Sequence, residues 1–411
     1  MAKILLSAYA CEPGRGSEPG VGWKWAVELA TVGHQVTVIT RADNRTAIQA
    51  QLNTVPPNLA FVYFDLPRWV QRCRIGLRAK TAYYVLWQWF AVRHIRRLFP
   101  TLPFDVVHHI TYASARYPSF MGSLGIPFWF GPVSGGEAVP APLRPGFSAG
   151  QRFCERLRDI SNYLLRLDPL LRTTFRRASR ILVTRDTQPL LPSRCQGKTR
   201  IHLAIGLSNE ELNVEPRLPT DPCAGLRMLY VGRLLEWKGI DIALQAMRRV
   251  RSEVPGAQFT IVGEGPARVM LEKLAQELQL QEVLHWIGWQ PQRVLDDHYR
   301  ASDLLLFPSL RDSGGTVVLE ALAHGLPVIC TDLGGPGIIV DETCGRVLAT
   351  RARTRTDLAR SMADAIREIA ATAELLAPLS CGARLRARQF KFRDLVAEVY
   401  AGLPLCTSAQ S

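Results

Sequence analysis

Two carboxylates stand on either side of a Gly-Gly pair in the stretch RDSGGTVVLEALAHGLPVIC (311–330). Asp312 precedes the pair and Glu320 follows it, with seven residues between the two acids. The run that begins near Thr316 is apolar on one face and ends before a glycine and a proline, which predicts a short helix. An Asp before a helix is a common cap. Carboxylates also accept sugar and ribose hydroxyls, so the pair predicts recognition of a hydroxylated ligand.

The glycines between these acids, Gly314 and Gly315, fall at the expected start of that helix. The first N–H groups of a helix have no partner within it, and the helix dipole is positive at this end. Both properties favour an anion. The sequence therefore predicts a phosphate seat between the two carboxylates.

A phosphate beside two carboxylates is repelled unless cations stand nearby. The stretch YVGRLLEWKG supplies two: Arg233 directly follows a predicted strand, and Lys238 precedes the next helix. A guanidinium can clamp a diphosphate through two hydrogen bonds, and an ammonium adds a point charge. Together they predict stabilisation of a departing nucleoside diphosphate without a metal.

The elements that must position these groups repeat one local pattern. KILLSAY, a Gly/Pro loop, WKWAVELATVG and HQVTVIT read as strand, loop, helix and strand, and RMLYVG to AQFTIVGEG reads in the same way. Further strand-like runs follow in each half, namely LAFVYF, DVVHHI, PFWFG and RILVT, then VLHWIG, DLLLFPS and PVICTD. Strands alternating with helices predict two α/β, doubly wound domains with parallel sheets. Ligands bind at the carboxyl ends of such strands, in the expected cleft between the domains.

The domain boundary is expected within the Pro-, Gly- and polar-rich stretch 195–226. We predict an N-terminal domain at 1–205 and a C-terminal domain at 206–384, with a last helix at about 385–405.

Composition sets the class of partner. The 411 residues are 47% apolar, carry a net charge of +14 and have a pI near 9.7, which favours a polyanionic partner. The segment 67–99 holds eight Arg or Lys, no Asp or Glu, and Trp69, Trp87 and Trp89. Basic residues mixed with aromatics suit an anionic membrane surface, although a solvated basic helix pair has the same composition. Recognised nucleic-acid-binding patterns are absent from the sequence, so nucleic acid is not expected.

The same composition predicts a cytoplasmic enzyme, peripheral on the inner face of the membrane. The apolar run at 82–92 is shorter than the about 20 residues of a spanning helix, and the N-terminus reads as a strand rather than a signal peptide. The nine cysteines form no C-x-x-C pair, so neither disulfides nor zinc are expected. DDHYR (296–300) is interpreted as a helix surface, since consecutive helical residues diverge.

Several motifs together resemble one known family. VGRLLEWKG, IVGEGP, IGWQP, DLLLFPSLRDSGGTVVLEALAHGLPVICTDLGGP and GVGWKWAVELATVGHQVTVIT are similar to those of the retaining, nucleotide-sugar-dependent glycosyltransferases of family four. The resemblance spans nearly the whole chain and is most specific at 226–348. It implies the GT-B fold, two Rossmann-like domains facing across a cleft. The family usually has Glu where this chain has Asp312, which is one methylene shorter.

The resemblance implies a role for each matching residue. Arg233 and Lys238 would hold the donor diphosphate, Glu320 the ribose and Asp312 the transferred sugar. In DVVHHIT, His109 or His108 would stand near the reacting sugar; neighbouring strand residues face opposite ways, and His109 is preferred. The backbone positions implied to approach the donor are Gly20, Gly22, Gly263, Gly314, Gly315, Thr316 and Val317. The last helix would pack back on the first domain, and Glu137 is a candidate acceptor contact.

The function implied is transfer of a sugar from a nucleotide-diphosphate donor to a hydroxyl of a glycan or lipid-linked acceptor in cell-surface polysaccharide synthesis. Same-face substitution requires positioning and charge stabilisation, with no cofactor and no metal. The alternatives are a GT-B-like nucleotide-sugar epimerase or phosphorylase, or a non-catalytic nucleotide- or glycan-binding subunit. An NAD(P)-linked enzyme is disfavoured, because neither strand–loop–helix unit has a clean G-x-G-x-x-G.

Overall fold

The computed structural model describes residues 1–72, 76–217, 225–371 and 373–403. Its contacts divide the chain into two compact units. Unit 1 comprises Met1–Gly136, Ile160–Ile205 and the described chain from Phe392 onward; unit 2 comprises Glu137–Asp159 and Gly206–Lys391. The chain passes from unit 1 to unit 2 at the predicted boundary of 205 and 206. Residues 137–159, however, were expected in the first domain, and the return to unit 1 begins at 392 rather than 385.

Unit 1 is built on a seven-stranded parallel sheet with the order β3-β2-β1-β4-β5-β6-β7. Its strands are β1 (Lys3–Ser7), β2 (Gln35–Arg41), β3 (Leu59–Phe64), β4 (Val106–His109), β5 (Phe128–Val133), β6 (Arg180–Val183) and β7 (Thr199–Ile201). The helices that begin before residue 205 are α1 (Ser17–Thr31), α2 (Arg45–Gln49), α3 (Arg68–Arg72), α4 (Leu77–Leu98), α5 (Ala149–Leu165) and α6 (Pro169–Arg177). Helix α5 starts within unit 2 and ends within unit 1.

Unit 2 is built on a six-stranded parallel sheet with the order β10-β9-β8-β11-β12-β13. Its strands are β8 (Arg227–Val231), β9 (Gln258–Val262), β10 (Leu284–Ile287), β11 (Leu304–Phe307), β12 (Val328–Thr331) and β13 (Gly345–Leu348). The remaining helices are α7 (Asn209–Leu212), α8 (Ile240–Val250), α9 (Arg268–Glu277), α10 (Gln292–Arg300), α11 (Thr316–Ala323), α12 (Pro336–Ile339), α13 (Arg355–Ala371), α14 (Leu376–Arg388) and, in unit 1, α15 (Phe392–Tyr400).

Alternating side chains of the unit 1 strands form two separate cores, one on each face of the sheet. Leu5, Val107 and Phe130 pack with helices α4 and α6 on one face. On the other face the neighbouring strand residues pack with α1 and α15, where Trp25 and Phe392 are fully buried. Both faces are covered, which explains why the strands read as continuous apolar runs.

All eleven predicted strands are present, and the prediction of two doubly wound α/β domains is confirmed. Strands β7 and β13 were missed. They are three and four residues long, and β7 lies inside the stretch interpreted as a linker. Short edge strands bury too few side chains to leave a clear pattern. Residues 218–224 of that stretch, and 404 and 405 of the expected last helix, lie outside the described residues.

Helix α1 begins six residues before the predicted Trp23, so Gly20 and Gly22 lie within the helix rather than in a loop. A Cβ on Gly20 would stand 2.0 Å from the carbonyl oxygen of Arg15, and one on Gly22 would stand 2.1 Å from that of Ala10. Both glycines therefore let backbone segments pack closely. The predicted approach of Gly20 and Gly22 to a donor phosphate stays a prediction, now from the first turns of a helix rather than from a loop.

Within the described ranges, none of the helices combines the length and apolarity needed to cross a bilayer.

Candidate functional site

Strands β8 and β11 are adjacent in unit 2, and the chain proceeds from them toward opposite edges of the sheet. Loops that follow such a pair diverge and leave a crevice at the carboxyl ends of the strands. The loop after β8 carries Arg233 and Lys238, and the loop after β11 carries Asp312. The structure therefore brings the predicted cations and the first predicted carboxylate to one switch point.

Backbone contacts fix these two loops against each other. Gly239 has φ +69°, and a Cβ there would stand 2.1 Å from the carbonyl oxygen of Pro308, so only glycine fits. The N–H of Leu310 donates to the carbonyl of Trp237 over 2.8 Å. Loop positions that meet at the crevice are thus set by hydrogen bonds and steric fit.

Lys238 and Asp312 form an ion pair. The Nζ atom lies 2.5 Å from Oδ2 of the carboxylate, and the two side chains are 16% and 19% exposed. The ammonium also lies 5.2 Å from the centre of the Phe307 ring. An ammonium has three donors, so this pair leaves Lys238 able to donate to a ligand as well.

Asp312 also caps the loop before α11. Its Oδ1 accepts the N–H groups of Gly314 at 3.1 Å and Gly315 at 2.8 Å. Two of the four backbone donors predicted for a phosphate, those of Gly314 and Gly315, are therefore already used within the chain. The N–H groups of Thr316 and Val317 have no hydrogen-bond acceptor among the described residues, and they become the donors available to an anion.

Glu320 lies one turn into α11, as predicted, and is half-buried. Its Oε2 accepts the hydroxyl of Tyr299 at 2.8 Å. Tyr299 is fully buried, and burial together with the Glu320 charge holds its pKa well above the usual value, so it remains a donor. Sequence reasoning missed Tyr299, because it stands in DDHYR, which showed only a charged helix face.

Arg233 is exposed, and among the described residues its guanidinium has no hydrogen-bond or ion-pair partner. The glycines beside it allow the loops after β8 and β9 to meet. Gly263 has φ +142°, and a Cβ there would stand 2.0 Å from the carbonyl oxygen of Gly232. Gly263 thus shapes the edge beside Arg233; its predicted contact with a donor stays a prediction.

The two candidate histidines are both buried in unit 1. His109 is 1% exposed; its Nδ1 lies 2.7 Å from the Ser119 hydroxyl and its Nε2 lies 3.0 Å from that of Tyr84. His108 is bonded to the Gly131 carbonyl and the Tyr400 hydroxyl. Burial lowers the pKa of His109 to about 4 and that of His108 to about 3. Neither ring faces an open site, so the structure does not support the prediction that His109 stands near a reacting sugar.

The switch point of unit 1 lies between β1 and β4 and carries a different set of groups. Glu18, in the first turn of α1, accepts the N–H of Tyr112 at 2.9 Å. Burial raises the pKa of Glu18, although this hydrogen bond acts in the other direction. Tyr112 is 41% exposed and has φ +55°, a strained conformation for an aromatic residue. Its ring lies 5.3 Å from that of Tyr9.

Sequence reasoning missed Glu18 and Tyr112. The signal for Glu18 is its position between a strand and a helix, in the stretch GSEPGVG (16–22). Strained backbone clusters at functional sites. The candidate acceptor contact Glu137 is instead 6% exposed and belongs to unit 2. In the part of the chain that the structure describes, no three His, Cys, Asp or Glu side chains form a metal cluster.

Comparison with solved structures identifies the fold. The chain has the GT-B fold: it matches sucrose-phosphate synthase from Thermosynechococcus elongatus with a TM-score of 0.62 and 18% identity, covering 98% of each chain. It also matches Anabaena Alr3699/HepE, solved in complex with UDP, with a TM-score of 0.61 and 15% identity, covering 98% of this chain and 100% of that one. The family model described as glycosyl transferases group 1 matches residues 225–376, which include all of the unit 2 strands.

Curated relatives match the chain over part of its length. The D-inositol 3-phosphate glycosyltransferase of Saccharomonospora viridis is 31% identical over 191 residues, 44% of this chain and 43% of the relative. The putative colanic acid biosynthesis glycosyltransferase WcaL of Escherichia coli K12 is 28% identical over 201 residues, 44% of this chain and 49% of the relative. The chain thus spans less than half the length of these relatives.

Proposed function

We propose that this protein is a retaining glycosyltransferase that moves a sugar from a nucleotide-diphosphate donor to a hydroxyl of a glycan or lipid-linked acceptor in cell-surface polysaccharide synthesis. One observation carries the proposal. At the unit 2 switch point, Arg233, Lys238 and the open N–H groups of Thr316 and Val317 belong to two loops that are locked together. Such a set of donors suits a diphosphate.

The donor diphosphate would bind between the guanidinium of Arg233 and the N-terminus of α11. Lys238 would donate to a phosphate oxygen while keeping its bond to Asp312. Glu320 would accept the ribose hydroxyls, since its side chain is half-buried and Tyr299 fixes one of its oxygens. No metal ligand is required, because the cations and amides supply the positive charge.

The proposed reaction is a same-face substitution. The bond between the anomeric carbon and the phosphate oxygen breaks, and the acceptor oxygen bonds to the same face of that carbon. The acceptor proton passes to the leaving phosphate oxygen, so no side-chain base is obligatory. Negative charge grows on the departing diphosphate, and preorganised cations and N–H groups stabilise it in the transition state.

The role proposed for Asp312 differs from the contact with the transferred sugar that the family resemblance implied. Its two oxygens already accept three donors, from Lys238, Gly314 and Gly315. We propose that Asp312 positions Lys238 and the start of α11. A direct contact with the transferred sugar remains a prediction, which requires the carboxylate to accept a further hydrogen bond from the sugar.

Unit 1 would supply acceptor contacts from its own switch point. Glu18 presents a carboxylate beside the exposed ring of Tyr112. A carboxylate that accepts hydroxyl hydrogens next to an aromatic surface suits a sugar or another hydroxylated acceptor. This pair takes the role of acceptor contact that the sequence analysis gave to Glu137.

The relatives support the direction of the proposal. HepE was solved with UDP and with UDP-glucose, and WcaL is named for colanic acid biosynthesis. We further propose that the protein works at the cytoplasmic face of a membrane and contacts anionic lipid through segment 67–99. Within that segment Trp69 is 72% exposed, and Arg93 lies 4.5 Å from the centre of the Trp89 ring. Residues 73–75, including Arg74, lie outside the described residues.

A panel of nucleotide sugars tests the proposal. The donor is identified by thermal stabilisation, and release of its nucleoside diphosphate is then measured with and without candidate glycan acceptors. We expect release of the nucleoside diphosphate to require an acceptor and to be unaffected by inorganic phosphate. The anomeric proton coupling of the product should match that of the donor.

Each other outcome points elsewhere. Turnover without an acceptor identifies an epimerase, phosphate-dependent turnover identifies a phosphorylase, and donor binding without turnover identifies a non-catalytic subunit. A product of inverted configuration refutes retention.

A further inference from the structure

A second apolar and basic surface lies at the turn between α5 and α6, outside segment 67–99. Five large apolar side chains within eleven residues are half or more exposed. They are Ile160 at 56%, Tyr163 at 69%, Leu164 at 53%, Leu167 at 59% and Leu170 at 50%. We refer to them as the α5–α6 face. Single exposed apolar residues are ordinary, but a contiguous patch marks an interaction site.

On helix α5, the helical periodicity places the exposed apolar side chains on the side opposite the buried one. On α5, Asn162 is buried and donates to the carbonyl of Gly136, which fixes the inner side of the helix. Ile160 and Leu164 are one turn apart on the opposite side. Phe153 and Leu157 lie on the same side of α5, nearer its N-terminus, and are 60% and 48% exposed.

The charge around this face is positive. Exposed arginines flank it at positions 156, 166, 172, 176 and 177. The nearest carboxylates are already bonded: Asp159 to Arg144, and Asp168 to the N–H groups of Leu170 and Leu171. A second copy of this face would bring arginines against arginines, whereas a bilayer with anionic headgroups would pair them with phosphates.

The α5–α6 face and the exposed side of α4 belong to one side of the unit 1 sheet. Leu165 at the end of α5, Leu171 and Phe175 of α6, and Trp87 of α4 all pack into the same core. Helices that cover one face of a sheet turn their outer sides in the same general direction. On α4 that outer side carries Leu86, Trp89 and Phe90, which are 45–46% exposed.

We infer that the α5–α6 face is a second membrane-binding surface, which enters an anionic bilayer together with the outer side of α4. The apolar side chains would lie at the boundary between headgroups and acyl chains, and the arginines would bind lipid phosphates. The inference extends the proposed membrane contact of segment 67–99, and it does not depend on which reaction the protein catalyses.

Vesicle sedimentation tests the inference, with the full chain and no nucleotide present. The vesicles are phosphatidylcholine alone, or phosphatidylcholine with about one third phosphatidylglycerol, each at low and high salt. We expect wild-type protein to bind the anionic vesicles in a salt-sensitive way. The double variant Leu164→Ser/Leu167→Ser should partition at least about tenfold less, since each leucine removes apolar area from the contact.

A control variant changes two apolar residues elsewhere that are of similar or greater exposure. Val269 and Leu385 in unit 2 are 79% and 56% exposed, and Val269→Ser/Leu385→Ser should bind vesicles like the wild type. The variant Trp89→Ser/Phe90→Ser isolates the α4 contribution. All variants are compared by thermal melting and by affinity for UDP, so that loss of the fold or of the donor site is recognised.

Two results would overturn the inference. One is unchanged vesicle binding of Leu164→Ser/Leu167→Ser while the α4 variant loses it. The other is a wild-type dimer in light scattering that the same substitutions convert to a monomer, which would assign the face to self-association. A failure of either kind leaves the proposed transfer reaction untouched, because UDP affinity is measured separately.

Discussion

The two units present the same topological position with opposite chemistry. In each, adjacent strands lead toward opposite edges of a parallel sheet, and the loops after them leave a crevice. In unit 2 the groups at that point are Arg233, Lys238 and the start of α11. In unit 1 they are Glu18 and Tyr112. The fold thus provides a place, and the side chains decide whether it suits an anion or a hydroxyl.

The largest expected effect comes from removing a cation at the unit 2 switch point. Lys238→Ala should lower kcat/KM for the nucleotide-sugar donor by about a hundredfold or more, because a preorganised charge on the leaving diphosphate is lost. Steady-state kinetics measures the change. Arg248→Ala, an exposed arginine on α8, is the matched control and should be neutral. Equal activity of Lys238→Ala and Arg248→Ala would show that the diphosphate does not bind at the loop after β8.

A smaller effect is expected when Glu320 loses the hydrogen bond that it accepts from Tyr299. Tyr299→Phe removes the hydroxyl that donates to Oε2, and the KM for the donor should rise by about tenfold. The exposed Tyr163 provides the control substitution Tyr163→Phe. If the KM is unchanged while the melting temperature falls, Tyr299 has only a structural role.

A substitution at the unit 1 switch point should weaken binding of the acceptor without changing binding of the donor. Glu18→Gln removes the negative charge and should raise the KM for the acceptor about fivefold, with the affinity for nucleoside diphosphate unchanged. Acceptor-dependent release of nucleoside diphosphate and calorimetric binding measure the two quantities. A parallel loss of nucleotide affinity would contradict the separation between the two switch points.

The smallest expected effect is on the free energy of unfolding. It tests whether His109 is a buried structural residue rather than a catalytic one. Burial lowers the pKa of His109 to about 4, below the ordinary value of about 6.5 in an unfolded chain. The unfolded chain therefore binds more protons between these values, and stability that is present above pH 6.5 is lost as pH falls toward 4. At pH 5.5 the loss from His109 is about 1 kcal/mol.

Denaturant titrations from pH 7.5 to 4.5 measure this loss. His109→Gln should give a shallower dependence on pH than the wild type, while His285→Gln, at an exposed position on β10, should not. A steeper or equal slope for His109→Gln would show that the ring is not buried in the neutral form.

The sequence predicted what depends on local pattern. Apolar runs gave eleven strands, and the Gly-Gly pair before TVVLEALAH placed the start of α11 at Thr316. Arg233, Lys238, Asp312 and Glu320 could be chosen as candidates because they follow strands or lie at or near a helix start, where topology brings loops together.

What the sequence could not predict depends on tertiary contacts. The two hydrogen bonds from Gly314 and Gly315 to Asp312 exist only in the folded loop, so the sequence could not show that these two of the four predicted N–H donors are already used. The burial of His109 depends on Tyr84 and Ser119, which lie 25 and 10 residues away in the chain. Likewise Tyr299 reaches Glu320 across 21 residues.

Calorimetric titration with UDP, GDP and ADP tests the central claim most directly, using the wild type, Arg233→Ala/Lys238→Ala and the control Arg248→Ala/Arg249→Ala. We predict that the wild type and the control bind one of these nucleotides equally well, and that Arg233→Ala/Lys238→Ala binds it at least about a hundredfold more weakly while melting as a folded protein. Undiminished binding by Arg233→Ala/Lys238→Ala would show that these two cations do not hold the diphosphate.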